Sequence, residues 1–205
     1  MKRIWIQIDT VILFILLFSL LIISCKRSVR EDLILIEQGK KHFFESEYME
    51  ALKHFEKSAQ INPRNDVAKA YVGFCYYHID EAGTAILQFN KSLQLNPSNN
   101  IALFGKSLVL WEMEDFLSAY ILFDSVTKIN PNHDKAFYYR SLAELQFGDT
   151  LSAQKSLLQA ITNAPEYAEN YYLQASLYLK NGKAEKADSV LKIAHKCKNE
   201  LLKSP

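Results

Sequence analysis

Apolar and small residues in the body of the chain recur at a fixed interval of 34 residues. An interval of this size is typical of stacked supersecondary units. Three columns follow it: a constant alanine, a bulky apolar residue four positions later, and a small residue or valine three positions after that. They contain Ala51, Ala85, Ala119, Ala153 and Ala187; Phe55, Phe89, Phe123, Leu157 and Leu191; and Ser58, Ser92, Val126, Ala160 and Ala194. Spacings of three and four residues place the columns on one face of a helix.

Prolines divide the same stretch into units, because Pro63, Pro97, Pro131 and Pro165 also lie 34 residues apart. Proline cannot donate to a helical ladder and disfavours helical geometry in the residue before it, so a helix ends at each one. A second stop lies in the middle of each unit. These stops are Glu45-Ser46-Glu47, Asp80-Glu81, Glu114-Asp115, Gly148-Asp149 and Asn181-Gly182-Lys183. Each unit is therefore predicted to contain two helices, with acidic side chains favouring the start of the second.

The columns have a steric explanation. An alanine in the second helix lets the first helix of the same unit approach closely, whereas a larger side chain would separate them. The bulky residue four positions later fills the space between neighbouring units. The repeated pattern predicts one continuous apolar core.

These columns resemble the signature of the tetratricopeptide repeat family, which combines small residues, aromatic residues and a proline at such intervals. The resemblance covers residues 32–201 as five units: 32–65, 66–99, 100–133, 134–167 and 168–201. It implies an all-α fold, an α-solenoid of five stacked helix-turn-helix units that form a right-handed superhelical arc. Further matches are the small residues Gly39, Gly73, Ser107, Ser141 and Ala175 and the aromatic residues Tyr48, Tyr76, Phe116 and Tyr178.

The sequence departs from the family pattern at three places. His42 and Glu144 stand where the family has an aromatic residue, which is expected only to loosen local packing. Asn199 stands where a fifth proline would fall, so the last helix is expected to run on. This helix must also shield the end of the stack, and its polar residues suit that role. They are Lys186, Asp188, Lys192, Lys196 and Lys198.

The N-terminal segment has the layout of a signal peptide, with Lys2 and Arg3 before an apolar stretch at residues 11–23. Thirteen helical residues span roughly 20 Å, which is less than the about 30 Å of a hydrocarbon core. Extending the stretch back to Ile4 gives a sufficient length but includes Asp9. An uncleaved membrane anchor stays open as an alternative.

The end of this stretch, Ile22-Ile23-Ser24-Cys25, resembles the lipobox of bacterial lipoproteins. The resemblance implies a signal peptide at residues 1–24, lipidation of Cys25, a tether at 25–31 and a C-terminal tail at 202–205. The covalent lipid, such as palmitate, is the one non-protein group expected, and no cofactor is predicted. Lys26 in place of aspartate favours the outer membrane; the alternatives are an inner-membrane location through the uncleaved helix, or an ordinary secretion signal that ends by chance in a cysteine.

Composition and charge narrow the functional classes. Six Gly and five Pro among 205 residues favour long helices over a turn-rich β-fold. Without the first 24 residues, the 24 basic and 23 acidic side chains become 22 and 22. A neutral surface has no general attraction for nucleic acid.

The sequence contains no recognisable catalytic motif. It contains no phosphate-binding glycine loop, nucleophile elbow or paired-carboxylate motif, so the protein is predicted not to be an enzyme. The histidines at 42, 54, 78, 133 and 195 are expected to form no close pair, and no metal site is predicted. Cys75 and Cys197 are expected to be packed thiols too far apart for a disulfide, with Cys197 the more accessible.

The family resemblance also implies that the first helices line a concave groove. The residues at its lining positions are mostly aromatic, and a dense exposed aromatic surface usually marks an interaction site. The alternative is that several of these rings fill gaps between helices. The predicted partner-binding residues are Tyr71, Phe74, Tyr77, His78, Phe104, Leu108, Trp111, Tyr138, Tyr139 and Tyr172.

The lysine and asparagine set with which some family members clamp a C-terminal carboxylate is absent here. The corresponding positions hold Ile36, Lys40, Tyr71, Ile101 and Lys106. The groove is therefore expected to prefer an apolar peptide or an amphipathic helix. The sequence predicts a membrane-anchored scaffold or adaptor lipoprotein that mediates protein–protein interactions in the bacterial cell envelope. The alternative is a surface lipoprotein that binds glycans through the same aromatic residues; the oligomeric state is left open.

Overall fold

A computed structural model describes residues 31–201. The predicted signal peptide, the lipidation site Cys25, nearly all of the tether and the C-terminal tail lie outside these residues. The described part of the chain consists of ten helices joined by turns and contains no strand. The predicted all-α fold of helical hairpins is confirmed, whereas the right-handed arc stays a prediction. Between residues 31 and 201, no helix combines the length and the apolar character needed to cross a membrane.

The chain divides into two compact units at Asn99 and Asn100. The described part of the first unit contains two hairpins: α1 at residues 31–44 with α2 (Tyr48–Ile61), and α3 (Asp66–His78) with α4 (Ala82–Leu95). Helix α3 packs against both α2 and α4.

The second unit contains three hairpins: α5 (Asn100–Glu112) with α6 (Phe116–Ile129), α7 (Asp134–Gln146) with α8 (Thr150–Asn163), and α9 (Ala168–Lys180) with α10 (Ala184–Leu201). Each of these helices packs against the next one along the chain.

The helix ends lie where the sequence predicts them. The second helices end two residues before their prolines, and the capping residue after each helix donates its backbone N–H to the residue four positions earlier, as Asn62 does to Ser58. The five turns inside the hairpins each contain a residue with positive φ, from 62° at Asp80 to 78° at Gly148. This left-handed residue ends one helix and reverses the chain into the next.

Acidic residues cap the second helices only in part. The carboxylates of Asp115 and Asp149 accept hydrogen bonds from the backbone N–H groups of Ser118 and Ser152, at 3.2 and 3.0 Å. Glu47 forms no such bond, and neither does Glu81. Aspartate at a cap has the side-chain length that this bond favours.

The repeating columns form the core in both units. All five alanines of the first column are fully buried, and so are the phenylalanines of the second column and the residues of the third. Leu191, in the last helix, is only partly buried. The predicted long final helix is confirmed, because α10 extends over 18 residues to Leu201 and keeps its predicted charged residues exposed.

Close contact between glycine and phenylalanine fixes the hairpins of the first unit. A Cβ atom added at Gly39 would lie 2.7 Å from the ring of Phe55, and one at Gly73 would lie 2.7 Å from the ring of Phe89. Both rings are fully buried. The first helix can approach the second this closely only because it carries no side chain at that point.

A repeated polar network connects each first helix of the first unit to the end of its own hairpin. The carboxylate of Asp32 accepts hydrogen bonds from the side-chain amides of Asn62 and Asn65, at 2.8 and 2.9 Å, and from the hydroxyl of Ser58. Asp66 accepts the equivalent bonds from Asn96 and Asn99, both at 2.8 Å. Asn65 also caps α3 through its side-chain oxygen. Buried Asp32 is thus satisfied by three donors.

The prediction that Glu144 only loosens packing is wrong. Its side chain is buried and its carboxylate pairs with Arg140 at 3.0 Å. Arg140 also contacts Asp124 at 3.2 Å and the hydroxyl of Thr127 at 3.2 Å. A network with α6 therefore replaces the aromatic packing of the family pattern, because a buried carboxylate requires a charged partner.

We expect Gly73→Val to destabilise the protein by about 1–3 kcal/mol, since the added methyl groups must displace the buried ring of Phe89. Gly83→Val is the matched control, because no atom lies within 4 Å of an added Cβ there. Its effect should stay within about 0.5 kcal/mol. Urea unfolding followed by circular dichroism measures both variants, and equal losses would contradict the steric account.

Candidate functional site

The first unit carries a group of contacting rings, the first aromatic cluster, made up of Phe43, Tyr48, Tyr71, Phe74, Tyr77 and His78. Phe43 lies at its centre, with its ring 5.3–6.2 Å from those of Tyr48, Tyr71, Phe74 and His78. The sequence prediction named four of these residues and missed Phe43 and Tyr48 as members. Phe43 stands 34 residues before Tyr77, so the repeat period itself was the signal that could have revealed it.

Two stacked pairs hold the first aromatic cluster in place. The imidazole of His78 stacks on the ring of Tyr48 with centroids 4.3 Å apart, and Tyr71 stacks on the buried Phe55 at 4.8 Å. The Lys40 ammonium lies 5.8 Å above the Tyr71 ring. Burial raises the pKa of the Tyr71 hydroxyl. Tyr71, Phe74 and Tyr77 are half-buried, so each ring offers part of its surface while its other side packs on the fold.

The second unit carries the second aromatic cluster, which contains Phe104, Trp111, Phe123, Tyr138 and Tyr139. Tyr139 stacks on the buried Phe123 at 5.2 Å and also contacts the other three rings, at 5.6–6.3 Å. Trp111, Tyr138 and Tyr139 are half-buried.

Two predicted groove residues are not available to a partner. Phe104 is only 8% exposed and Leu108 only 9%, so the prediction that they are presented in the groove is wrong. Phe104 packs against Phe123, His133 and Tyr139 inside its own unit. Here the alternative that a ring fills a gap between helices describes the residue correctly.

A pocket of about 340 Å³, the tyrosine pocket, lies between the starts of α7 and α9. Its tyrosine rings come from Tyr138, Tyr139 and Tyr167. Four polar residues complete it, namely Asp134, Lys135, Glu169 and Asn170. Only two of these seven residues were predicted from the sequence. The others stand at the end of one repeat and the start of the next, where the 34-residue period brings them together.

The tyrosine pocket is a partly desolvated environment. Burial raises the pKa of Tyr138, with smaller contributions from Tyr139 and the carboxylate of Glu169. Burial also raises the pKa of Tyr139, to which Glu112 contributes. Both phenols therefore stay protonated near neutral pH and can donate hydrogen bonds. The Lys135 ammonium lies 6.0 Å above the ring of Tyr167.

His133 caps α7 beside this pocket. Its Nδ1 accepts a hydrogen bond from the backbone N–H of Ala136 at 3.2 Å. Burial lowers the pKa of the imidazole, while Asp134 acts in the opposite direction. The neutral ring is required, because a protonated Nδ1 cannot accept this bond.

Tyr172, the remaining predicted groove residue, is half-buried on α9. Its hydroxyl lies 3.5 Å from Nδ1 of His195, and the two rings contact edge to face at 5.9 Å. Tyr172 is not among the residues that line the tyrosine pocket.

The prediction that no two histidines form a close pair is wrong. His42 and His54 belong to the same hairpin, and their rings stack with centroids 5.2 Å apart and planes 12° apart. The antiparallel course of α1 and α2 places residues that are twelve positions apart side by side.

The cysteines follow the prediction. Cys75 and Cys197 are free and buried, and Cys197 keeps the larger exposed fraction. Burial raises the pKa of the Cys75 thiol to about 12, with a smaller contribution from Glu56. A thiol in this state is a poor nucleophile at neutral pH.

Exposed apolar residues also occur on the second helices of the second unit, and the sequence prediction did not include them. They are Leu117, Ile121, Leu151 and Leu158, each more than half exposed. The signal was present, because these residues stand four or seven positions apart within each helix and lie outside the core columns.

Helical hairpins that follow one another along the chain, as in each unit here, define a helical-repeat fold. Comparisons with known proteins identify the repeat. Residues 168–192, in α9 and α10, match the model of the tetratricopeptide repeat. No curated protein sequence matches the chain. Residues 168–192 thus contain a tetratricopeptide repeat, and the described residues have the all-α repeat fold that the sequence columns predicted.

Several solved structures share this fold. PilF of Pseudomonas aeruginosa is similar with a TM-score of 0.77 at 16% identity, over 83% of this chain and 78% of PilF. MamA of Desulfovibrio magneticus has a TM-score of 0.67 at 15% identity, over 83% and 96% of the two chains. YrrB, described as having an unusual peptide-binding site, has a TM-score of 0.61 at 18% identity, over 85% and 90%. Neither the family model nor these structures indicate a catalytic domain.

We expect acid to weaken the second unit through His133. Its folded-state pKa is lowered, so the stability that the neutral cap contributes is present above the unfolded value of about 6.5 and is lost as the pH falls. In His133→Asn the cap is kept without a titrating ring, as Asn65 caps α3. Urea unfolding at about pH 7.5 and about pH 5.5 should show a smaller loss in the variant than in the unmodified protein. Identical losses would show that the cap does not titrate.

Proposed function

We propose that the protein is an interaction scaffold that binds an apolar segment of a partner protein through the exposed rings of its first helices. The tyrosine pocket is the observation that supports this most strongly. Its volume of about 340 Å³ admits one large side chain, and the rings of Tyr138 and Tyr139 are half-buried and held by neighbouring rings. Rigid aromatic side chains around a desolvated depression are typical of binding hot spots.

The chemistry of the pocket fits a segment that brings both apolar surface and polar groups. The tyrosine faces contribute at roughly 25 cal/mol per Å² of apolar area buried, before the costs of ordering the partner. Asp134, Glu169 and the phenol hydroxyls can pair with polar groups of the segment. The peptide-binding site of YrrB, which shares this fold, supports the same kind of ligand.

The first aromatic cluster supports a second contact region on the same kind of helix. Its exposed rings belong to α3, and they are fixed by Phe43 and Phe55 behind them. Because little side-chain freedom remains to be lost, the rings can contribute their buried area to binding at low entropic cost.

We further propose that the scaffold is held at a bacterial membrane by lipid on Cys25. The proposal is supported by the sequence Ile22-Ile23-Ser24-Cys25 after an apolar stretch. Two or three acyl chains give stable attachment, whereas one chain is marginal. Lys26 supports the outer membrane as the site of attachment, with a role in organising other proteins of the cell envelope.

Glycan binding is a second candidate for the tyrosine pocket. Tyrosine faces can stack on sugar rings, and the pocket adds two carboxylates and the amide of Asn170 as partners for hydroxyl groups. Retention on immobilised polysaccharides distinguishes this candidate from peptide binding.

We expect the double variant Tyr138→Ala and Tyr167→Ala, which removes two rings of the tyrosine pocket, to weaken partner capture by at least about tenfold, because hot-spot rings contribute about 2 kcal/mol or more each. Photo-crosslinking in cells, followed by affinity measurement on the captured protein, gives the result. Leu151→Ala is the matched control, since this residue is 66% exposed on a second helix of the same unit.

Helicity should be unchanged in both variants. Capture that survives the double variant, or that is lost equally in Leu151→Ala, would count against the pocket. Binding to polysaccharide that the double variant abolishes would support the glycan candidate instead.

We expect Cys25→Ser to abolish incorporation of labelled palmitate. Cys75→Ser and Cys197→Ser are the controls and should keep the label, since both thiols are buried in the repeats. Label retained in Cys25→Ser would refute the lipid anchor.

A further inference from the structure

The turn between α1 and α2 brings three side chains with metal-binding atoms to one point. Nδ1 of His42 lies 2.6 Å from Oε2 of Glu47 and 4.0 Å from Oε2 of Glu45. All three ligand atoms lie within 4.8 Å of one another. Within residues 31–201, no other three such side chains converge in this way.

The backbone holds this spacing. The N–H of Glu47 donates to the carbonyl of His42 at 2.9 Å, and the N–H of Ser46 donates to the carbonyl of Phe43 at 3.1 Å. Ser46 has a φ of 63°, which reverses the chain so that residues at positions 42, 45 and 47 face the same side. The arrangement exists before any ligand binds, which lowers the entropic cost of binding.

The imidazole is also oriented from outside the turn. The His54 ring on α2 stacks on that of His42 at 5.2 Å with the planes 12° apart. This contact restricts the rotation of His42 about its side-chain bonds and keeps Nδ1 directed at the two carboxylates. His54 is a positioning residue here, comparable with the neighbouring groups that fix ligands in metal sites.

We propose that His42, Glu45 and Glu47 form a binding site for a divalent transition-metal ion of the Zn²⁺ class. The two carboxylates neutralise the charge of the ion, and the imidazole nitrogen favours Zn²⁺ over Mg²⁺ and Ca²⁺, which prefer oxygen ligands. Zinc at about 2.0–2.2 Å from each ligand requires separations of roughly 3–4 Å between them. The ion would replace the hydrogen bond between Nδ1 of His42 and Oε2 of Glu47, and small rotations of the two partly exposed glutamates would give these separations.

Three protein ligands leave a coordination position open. An open depression beside the turn, lined by Ser46, Glu47, Tyr48 and Glu50, gives water access to that position. The ion would clamp the ends of α1 and α2 together and stabilise the first hairpin by linkage.

The other repeats contain the same turn without the same ligands, which provides an internal comparison. In the second repeat the equivalent hydrogen bond runs from the N–H of Glu81 to the carbonyl of Tyr76, and Ile79 stands in the position of Glu45. Tyr76 stands in the position of His42, so Glu81→Gln removes the equivalent carboxylate from a turn that lacks the other two ligands, and it is the matched control.

The test is equilibrium dialysis of the full chain, carrying no histidine tag, against Zn²⁺ alone. We expect one ion per chain, binding that His42→Gln and the double variant Glu45→Gln with Glu47→Gln each weaken by at least about tenfold, and no change in Glu81→Gln. The unfolding temperature should rise with Zn²⁺ in the unmodified protein and in Glu81→Gln, but not in the other two variants.

The double glutamine variant keeps the side-chain sizes and the stacked histidines, so it tests the site even where His42→Gln alters the fold. The proposal is overturned when the unmodified chain binds no Zn²⁺, when Glu81→Gln weakens binding as much as the site variants do, or when excess Mg²⁺ displaces the ion.

Discussion

The close approach of the two helices in each hairpin is the constraint on which the rest of the structure depends. In the first unit the rings of Phe55 and Phe89 lie directly against Gly39 and Gly73, where an added Cβ would overlap with them. The second helix presents a fully buried alanine four residues earlier. Because this side of the first helix packs against the second helix, the aromatic residues on the neighbouring faces of the first helix are half-buried and remain partly open to solvent. The packing of the core therefore determines which rings a partner can reach.

Most of the fold could be predicted from the sequence, because every repeat must meet the same requirement: two helices that pack closely and end at fixed positions. The prolines marked the helix ends, and Asn199 in place of a proline correctly indicated a longer last helix. The effect of Glu144 on packing was predicted wrongly, because the 34-residue period does not show which charged residue lies beside it. Its charge is compensated by Arg140, which itself contacts Asp124 on the preceding helix, so the substitution makes sense only as part of a network.

The candidate sites could be predicted only in part. Register alone identified Tyr138 and Tyr139, but the pocket also needs Tyr167 and Glu169 from the following repeat junction. The position of Phe104 in the repeat also led to the wrong prediction that its ring is exposed. A repeat position indicates the direction of a side chain but not how far neighbouring residues bury it. The pairing of His42 with His54 was missed because the two residues are twelve positions apart in the sequence. They become neighbours only when α1 and α2 pack antiparallel in the hairpin.

The hydrogen bonds of Asp32 and Asp66 reach asparagines 30 and 33 residues further on. Removal or duplication of a whole 34-residue block would leave each aspartate with amides at the same distances along the chain. An insertion of any other length inside the first block would separate the buried carboxylate of Asp32 from its donors, at a cost of about 1–3 kcal/mol for each unsatisfied group. The polar network thus fixes the number of residues in a repeat. The number of hairpins can therefore change during evolution far more readily than the length of one hairpin.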